Sequence, residues 1–153
     1  MSELDVKIVK LEPLRVICFN GFGEGPEQLA LEKLFAWAKA HGKSGRVFGY
    51  NNPNPAPGSP NYGYDAWMAV DENVQAEGEG RIIDFPGGLY AVVRCPVTKP
   101  WEDIPGTWQK LVHWRENSRH HEASHQWLEE HIAPVGETGG ENFMLDLFLP
   151  IKE

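Results

Sequence analysis

Basic residues and long apolar runs are scarce in this chain, and each shortage excludes a class of protein. The 153 residues include 14 Lys and Arg against 22 Asp and Glu, for a formal net charge of -8. Proteins that bind duplex DNA need clustered cations, so direct nucleic-acid binding is not expected. No apolar run approaches the roughly 20 residues of a membrane helix. The acidic N-terminal segment also lacks the apolar core of a signal peptide, and we therefore expect a cytoplasmic protein with no membrane association.

Cysteine is equally scarce, since Cys18 and Cys95 are the two in the chain. Both fall in predicted strands, where a reduced cysteine packs as a small hydrophobic residue. We therefore predict two buried free thiols rather than a disulfide. No motif in the chain indicates a cofactor.

The order of predicted elements occurs twice. In residues 5–71 two strands joined by a tight turn precede a helix and two further strands, and residues 81–152 repeat this order. Apolar alternation predicts the strands, and apolar residues spaced three and four apart predict the helices. We therefore predict one α+β domain built from duplicated βαββ halves with pseudo-two-fold symmetry. A cleft between such halves would suit a small molecule.

The ends of several elements carry local signals. Pro26 suits the first turn of the first helix, and Gly42 suits its C-terminal cap. Asp103 is the expected N-cap of the second helix, with Pro105 in its first turn. The Pro-Gly-Gly segment at 86–88 is expected to form a hairpin turn.

Two motifs look functional but lack the context that their chemistry requires. The segment GFGEG, at 21–25, lacks the spacing of a nucleotide-binding loop, and we expect it to end a strand and lead into the first helix. The segment HEASH, at 121–125, matches the H-E-x-x-H form of zinc proteases. It lies in a polar stretch without helical periodicity, so we predict no metal site there.

The predicted strand QWLEEHI, at 126–132, is unusual because it carries two glutamates among apolar residues. Alternation assigns its residues to two faces. One face takes Trp127, Glu129 and His131, and the other takes Leu128, Glu130 and Ile132. A carboxylate in an apolar setting needs a partner. For Glu129 the partner is a nearby Arg, or solvent at an edge strand, or a ligand cation that also gains roughly 0.5–2 kcal/mol from aromatic faces.

Five segments taken together resemble the GyrI-like effector-binding family, which includes drug-binding domains of AraC-type and MerR-type regulators. The segments are LEPLRV at 11–16, GYNNP at 49–53, YDAWMAV at 64–70, PGGLYAVV at 86–93 and FMLDLFLPI at 143–151. The resemblance implies a curved antiparallel sheet with two helices and a central cleft. In regulators of this family the domain follows a helix-turn-helix segment. Because the domain begins almost at Met1 here, we expect no DNA-binding segment, and a protein partner or a homodimer stays open.

The resemblance also implies the site. Family members bind lipophilic cations through a glutamate in an aromatic–Glu–x–aromatic strand motif, and Glu129 takes that place here, with Leu128 and His131 at the aromatic positions. In the first half Gly49 corresponds to Glu129, which suggests that the first half leaves space for a ligand and the second half supplies a negative charge. The expected ligand-binding residues are Glu129, Trp127, His131, Tyr50, Trp67, Trp108, Phe148 and Tyr90.

Two functions follow from this resemblance. The first is a standalone protein that binds, senses or sequesters a hydrophobic, cationic small molecule. The alternative is a hydrolase of the type that opens cyclopropane rings, with Glu129 as the general base. Both functions use the same carboxylate, so the sequence alone does not separate them.

Overall fold

The structure is a computed structural model that describes residues 4–52, 56–133 and 143–153. In chain order its elements are β1 (Lys7–Leu11), β2 (Leu14–Gly23), α1 (Pro26–His41), β3 (Val47–Asn51), β4 (Tyr62–Ala69), β5 (Arg81–Phe85), β6 (Gly88–Val97), α2 (Pro100–Glu116), β7 (His121–Glu122), β8 (Leu128–Ala133) and β9 (Phe143–Lys152). Two helices with antiparallel strand pairs confirm the predicted α+β class.

The described chain divides into two compact units, each with one helix on an antiparallel sheet. The α1 unit spans 14–85 and has the strand order β3-β4-β2-β5. The α2 unit combines residues 4–13, 86–133 and 143–153, and its strand order is β1-β6-β9-β8, with β7 also paired to β9. In each unit one side of the strands packs against the helix, and we call the other side the helix-free side.

The two units differ from the predicted halves because the first strands are exchanged. Strand β1 pairs with β6, where Val9 lies opposite Tyr90, and β5 pairs with β2, where Val16 lies opposite Ile83. The segment at 86–88 therefore does not form a hairpin turn, since β5 before it pairs with β2 in the α1 unit and β6 after it pairs with β1 in the α2 unit. A strand's alternation specifies which side each residue faces but not which strand it joins, so the sequence pattern missed the exchange.

The helix side of the α1 unit contains a continuous apolar core. Ile17 on β2 and Leu34 on α1 are both fully buried in it. At Gly21 the helix lies directly on the strand, because a Cβ there would come 2.7 Å from the Pro26 carbonyl oxygen and 2.8 Å from the Ala30 nitrogen. Strand β2 thus continues to Gly23, and the prediction that the glycines end this strand earlier is wrong.

The helix side of the α2 unit has a matching core. Leu111 on α2 packs among apolar side chains from the two central strands, β6 and β9. Those from β9 are Leu145, Leu147, Leu149 and Ile151, all nearly inaccessible to solvent. Every second residue of β9 lies in this core, which identifies the helix side of the strand. The pairing register then shows which residues of β6 and β8 face the same side.

The helix ends agree with the sequence at α1 and differ at α2. Helix α1 runs from Pro26 to a left-handed cap at Gly42, as predicted. Helix α2 begins earlier than predicted, at Pro100. Asp103 is not the N-cap but lies inside the first turn, where its carboxylate accepts hydrogen bonds from the backbone N–H groups of Thr98 and Lys99, both at 2.9 Å.

Both cysteines are buried and free, as predicted. In the parts of the chain that the structure describes, neither helix is long and apolar enough to cross a membrane. The HEASH segment is not helical, since His121 and Glu122 form the short strand β7 and His125 lies beyond it. The paired-histidine geometry of a zinc-protease helix is therefore missing from this segment.

Candidate functional site

The predicted ligand-binding residues fall into three groups in the structure. Four of them lie together on the helix side of the α2 unit. Two lie on the helix-free side of the same unit, and two lie on the helix-free side of the α1 unit. In that order the groups are Trp108, Trp127, Glu129 and His131, then Tyr90 and Phe148, then Tyr50 and Trp67.

The first group, which we call the Trp–Glu cluster, comprises Trp108, Trp127, Glu129 and His131. Strand β8 places Glu129 opposite Leu147 and His131 opposite Leu145, so both side chains share the helix side with the apolar core. The predicted alternation of β8 is thereby confirmed. Helix α2 contributes Trp108, which packs on this core as a partly buried residue.

A hydrogen bond and a ring contact hold the Trp–Glu cluster together. The Trp108 indole donates from Nε1 to Oε2 of Glu129 at 3.3 Å. The rings of Trp108 and Trp127 lie 5.2 Å apart between centroids, tilted by 44°. Trp127 is 38% exposed, so solvent reaches the cluster from its side. The carboxylate of Glu129 is therefore positioned beside two indole rings at an accessible edge.

His131 contributes no positive charge to this cluster at neutral pH. Burial lowers the pKa of its imidazole to about 4, from an ordinary value of 6.5. The imidazole is therefore neutral at pH 7. Its role beside Glu129 is that of a packed aromatic ring with hydrogen-bonding nitrogens.

Tyr90 and Phe148 lie on the opposite side of the same sheet. Phe148 is opposite Leu128 in the register, one position from the Glu129–Leu147 pair, so its side chain faces away from Glu129. The Tyr90 hydroxyl donates to the Gln126 carbonyl at 2.5 Å, and its ring contacts Phe148 edge-on at 5.3 Å. Burial raises the pKa of Tyr90. The predicted single pocket that joins Phe148 and Tyr90 to Glu129 is thus split by the sheet.

Tyr50 and Trp67 belong to an aromatic box on the helix-free side of the α1 unit, which we define as Tyr50, Trp67 and Phe85. Tyr50 meets Trp67 edge-on at 5.2 Å, and Phe85 lies 5.4 Å from Trp67. Sequence reasoning missed Phe85 because β5 was expected to pair within the other half. The exchange of first strands brings it to this sheet.

Asp65 is a second residue that sequence reasoning missed. It is fully buried on the helix-free side and accepts hydrogen bonds from Asn20 at 2.7 Å and Asn52 at 2.9 Å. The Arg81 guanidinium lies 3.4 Å from the same carboxylate. A signal was available, because Asp65 interrupts an otherwise apolar strand. Because a buried carboxylate needs hydrogen-bond partners, Asp65 and its three donors form a polar cluster on the helix-free side of this unit.

Glu130 is the third missed residue and the buried carboxylate of β8. It is 8% exposed and lies opposite Asp146, on the same side as Phe148. Asp146 in turn accepts two hydrogen bonds from the Arg94 guanidinium, at 2.5 and 3.3 Å. The sequence pattern drew attention to Glu129 alone, although the two adjacent glutamates face opposite sides.

The expectation that Gly49 leaves space for a ligand in the first half is wrong. Gly49 faces the helix side of β3, where the buried Tyr64 ring lies so close that a Cβ on Gly49 would overlap it. The space left by the missing side chain is filled within the protein. Gly49 therefore allows Tyr64 to pack and leaves no opening beside it.

Solved structures share this fold at low sequence identity. The EcmrR C-terminal domain matches with 13% identity and a TM-score of 0.73, covering 98% of each chain. A hydrolase from Listeria innocua matches with 10% identity and a TM-score of 0.63, covering 99% of this chain and 94% of its own. SAV2435, solved bound to tetraphenylphosphonium, matches with 11% identity and a TM-score of 0.55, covering 97% and 94%. These likenesses show the fold alone.

Two further comparisons define what the chain is similar to. It spans 57% of the length of the EcmrR chain in a cryo-EM complex with DNA. No curated protein matches it in sequence. The model of the GyrI-like small molecule binding domain matches residues 4–152, nearly the whole chain. The chain therefore belongs to the GyrI-like family of small-molecule-binding domains.

Proposed function

We propose that this domain binds a hydrophobic cation at the Trp–Glu cluster. The observation that carries the proposal is the hydrogen bond between Trp108 and Glu129 beside the half-exposed Trp127 ring. This contact fixes a carboxylate at the edge of an aromatic pair. A cation placed there meets the negative charge and the faces of the indole rings at once.

The physical chemistry of the cluster favours a large, weakly hydrated cation. A cation over an indole face gains about 0.5–2 kcal/mol, and the gain is larger where water is excluded. A small, strongly hydrated cation loses more hydration free energy than the rings return. A quaternary ammonium or phosphonium ion with apolar substituents loses little, and its substituents bury apolar area against Trp108 and Trp127.

The relatives support this ligand class. SAV2435 was solved with tetraphenylphosphonium, a hydrophobic cation of this kind. EcmrR was solved in complex with DNA, so one relative combines this fold with DNA binding. Sensing and sequestration both begin with the same binding step, and the test is therefore directed at that step.

Glu129→Gln tests the charge while preserving the shape of the side chain. We expect the variant to bind tetraphenylphosphonium more weakly by about 2–5 kcal/mol, as found when one partner of a buried charged pair is lost. Its affinity for triphenylphosphine oxide, a neutral molecule with similar rings, should change little. Quenching of tryptophan fluorescence and calorimetry measure both affinities.

Glu130→Gln is the matched control, because the adjacent glutamate faces the other side of the same strand. We expect it to leave the tetraphenylphosphonium affinity within about 0.5 kcal/mol of the wild type, as for substitutions away from a site. Equal affinities of the wild type and Glu129→Gln for the cation would reject the proposal. A loss confined to Glu130→Gln would assign the charge to the helix-free side.

A hydrolase is the second candidate, favoured by the fold shared with the Listeria innocua hydrolase. In this reading Glu129 removes a proton from water, and the hydroxide opens a strained ring of an electrophilic substrate. The indole N–H of Trp108 would orient the carboxylate. Incubation with cyclopropane-containing alkylating agents, followed by mass spectrometry, distinguishes the two functions, because a hydrolase releases a product one water heavier and a binder returns the ligand unchanged.

A further inference from the structure

Trp127, one of the two indoles of the Trp–Glu cluster, lies outside the regular strands. Strand β8 begins one residue later, at Leu128, and residues 123–127 form no helix or strand. The hydrogen bonds between β8 and β9 therefore do not fix the backbone at Trp127. Because such a backbone has more conformational freedom than a strand, its ring needs another support to keep its contact with Trp108.

The two residues before Trp127 are both hydrogen-bonded to strand β6. The imidazole Nε2 of His125 lies 2.7 Å from the Leu89 carbonyl oxygen. A carbonyl oxygen can only accept, so Nε2 carries the hydrogen and donates it. The Tyr90 hydroxyl, from the next residue of β6, donates to the Gln126 carbonyl at 2.5 Å. Two adjacent residues of β6 thus hold the segment from which the Trp127 side chain extends.

Further contacts with β6 fix the position of the His125 ring. It meets the Tyr90 ring edge-on, with 4.8 Å between the centroids. Gly88 leaves the imidazole no space to spare, because a Cβ on Gly88 would come 2.6 Å from Cδ2 and 2.7 Å from Nε2 of the ring. Three consecutive residues of β6 therefore contact this one imidazole, which is the last residue of the HEASH segment.

We infer that His125 is a positioning residue, which holds Trp127 against Trp108 and thereby sets the affinity of the Trp–Glu cluster for an aromatic cation. A binding site depends on the residues that keep its contacting side chains in place. The statement about affinity rests on the proposed function, whereas the statement about Trp127 concerns the protein without a ligand. Since His125 acts through the backbone that leads to Trp127, its loss should change the cation affinity only while the Trp127 ring is present.

A pair of substitutions at His125 tests the hydrogen bond. His125→Asn removes it, because the shorter amide is too short to reach the Leu89 carbonyl, and His125→Gln returns a donor to the place of Nε2. We expect the tetraphenylphosphonium affinity to fall about tenfold in His125→Asn, as the loss of one aromatic face implies, and to stay within about twofold of the wild type in His125→Gln. Calorimetry measures each affinity.

A double variant tests whether His125 acts through Trp127. Trp127→Ala should cause a loss of the same size as His125→Asn, and the two changes together should cause no more than either alone. Multiplied losses, about a hundredfold in the double variant, would mean that His125 acts independently of Trp127 and would overturn the inference.

Two further variants complete the set. His121→Asn is the matched control, because it makes the same substitution at an exposed histidine of the same segment, on β7, and its cation affinity should equal that of the wild type. Gly88→Ala reaches His125 by another route, since the added methyl group meets the imidazole and should displace it. It should weaken cation binding as His125→Asn does, and it decides the matter should His125→Asn fail to fold.

A measurement without a ligand separates this inference from the proposed function. In ¹⁵N-labelled protein Trp127→Ala identifies the Trp127 indole N–H signal by its loss. His125→Asn and Gly88→Ala should both move this signal, since the ring leaves its place beside Trp108, and neither should move the signal of Trp37 in the core of the α1 unit.

An unchanged Trp127 signal in both variants would overturn the inference. If the wild type does not bind tetraphenylphosphonium, the proposed function fails and the statement about affinity fails with it. The Trp127 signal then still decides whether His125 positions the ring.

Discussion

At the scale of single residues, His131 and Glu129 are near neighbours on one strand with different chemical roles: the buried imidazole is neutral at pH 7, and the carboxylate accepts a hydrogen bond from Trp108. The two side chains are on the same side of β8, and alternation alone predicted this arrangement. The sequence could not predict that this side faces helix α2, because alternation separates two sides without saying which one is covered. The family resemblance grouped Phe148 with Glu129, although the two side chains face opposite sides of the sheet.

His131 should make the protein sensitive to acid. Its folded-state pKa of about 4 lies below the ordinary 6.5, so the unfolded chain binds the proton more readily between these values. Its contribution to stability is therefore complete above pH 6.5 and is lost as the pH falls toward 4. Since one pKa unit is worth about 1.4 kcal/mol and the two values differ by about 2.5 units, the loss should reach roughly 3–4 kcal/mol.

His131→Gln removes the titrating group while keeping polar atoms at the site. Urea unfolding curves of the wild type and the variant, collected across this pH window, measure the difference. The free energy of unfolding of the wild type should fall more steeply with acid than that of His131→Gln. Parallel curves would mean that the imidazole does not differ between the folded and unfolded states.

At the scale of elements, local signals predicted what local physics controls. The ends of α1 followed from Pro26 and Gly42, each of which acts within one turn. The predicted start of α2 was wrong because Asp103 was expected to be the N-cap residue. In the structure it lies inside the first turn, and its carboxylate accepts hydrogen bonds from the backbone N–H groups that precede the helix. A single sequence does not distinguish these positions.

Two substitutions of glycine by alanine, one where β2 meets α1 and one inside α2, should have opposite effects on stability. Gly21→Ala places a Cβ against the backbone of α1, which cannot move aside without shifting the helix. We expect a loss of about 1–3 kcal/mol in the free energy of unfolding, as for overpacked cores. Gly106→Ala, inside α2 with open space at the Cβ, should instead stabilise the protein by roughly 0.5–1 kcal/mol.

Chemical denaturation of both variants measures these changes against the wild type. The pair controls for the substitution itself, because each replaces glycine by alanine inside a regular element. Destabilisation of similar size in both variants would show that alanine is simply unfavourable at glycine positions here. A stable Gly21→Ala variant would show that α1 adapts to the added methyl group.

At the scale of the whole molecule, the duplicated order of elements was visible in the sequence but its strand partners were not. Both units place an aspartate on the helix-free side of the strand that ends each half, since Asp65 on β4 lies opposite Asn20 and Asp146 on β9 lies opposite Arg94. This repetition agrees with duplication. The exchange of β1 and β5 depends on pairing between distant segments, and such contacts leave no local pattern in one sequence.

The net charge of -8 also acts at this scale, and it gives the last prediction. The summed negative field raises the concentration of cations near the surface, and salt screens it because the Debye length falls from about 20 Å to about 4 Å between roughly 20 mM and 500 mM salt. Tetraphenylphosphonium affinity should therefore fall severalfold over this range. The affinity for neutral triphenylphosphine oxide should stay level or rise, because salt does not weaken the burial of apolar surface. Calorimetry at matched temperatures measures both. An affinity for the cation that does not depend on salt would mean that the net charge of the protein contributes nothing to binding, and the effect of Glu129→Gln would then measure the local charge at the Trp–Glu cluster alone, because a buried pair is screened much less than surface charges.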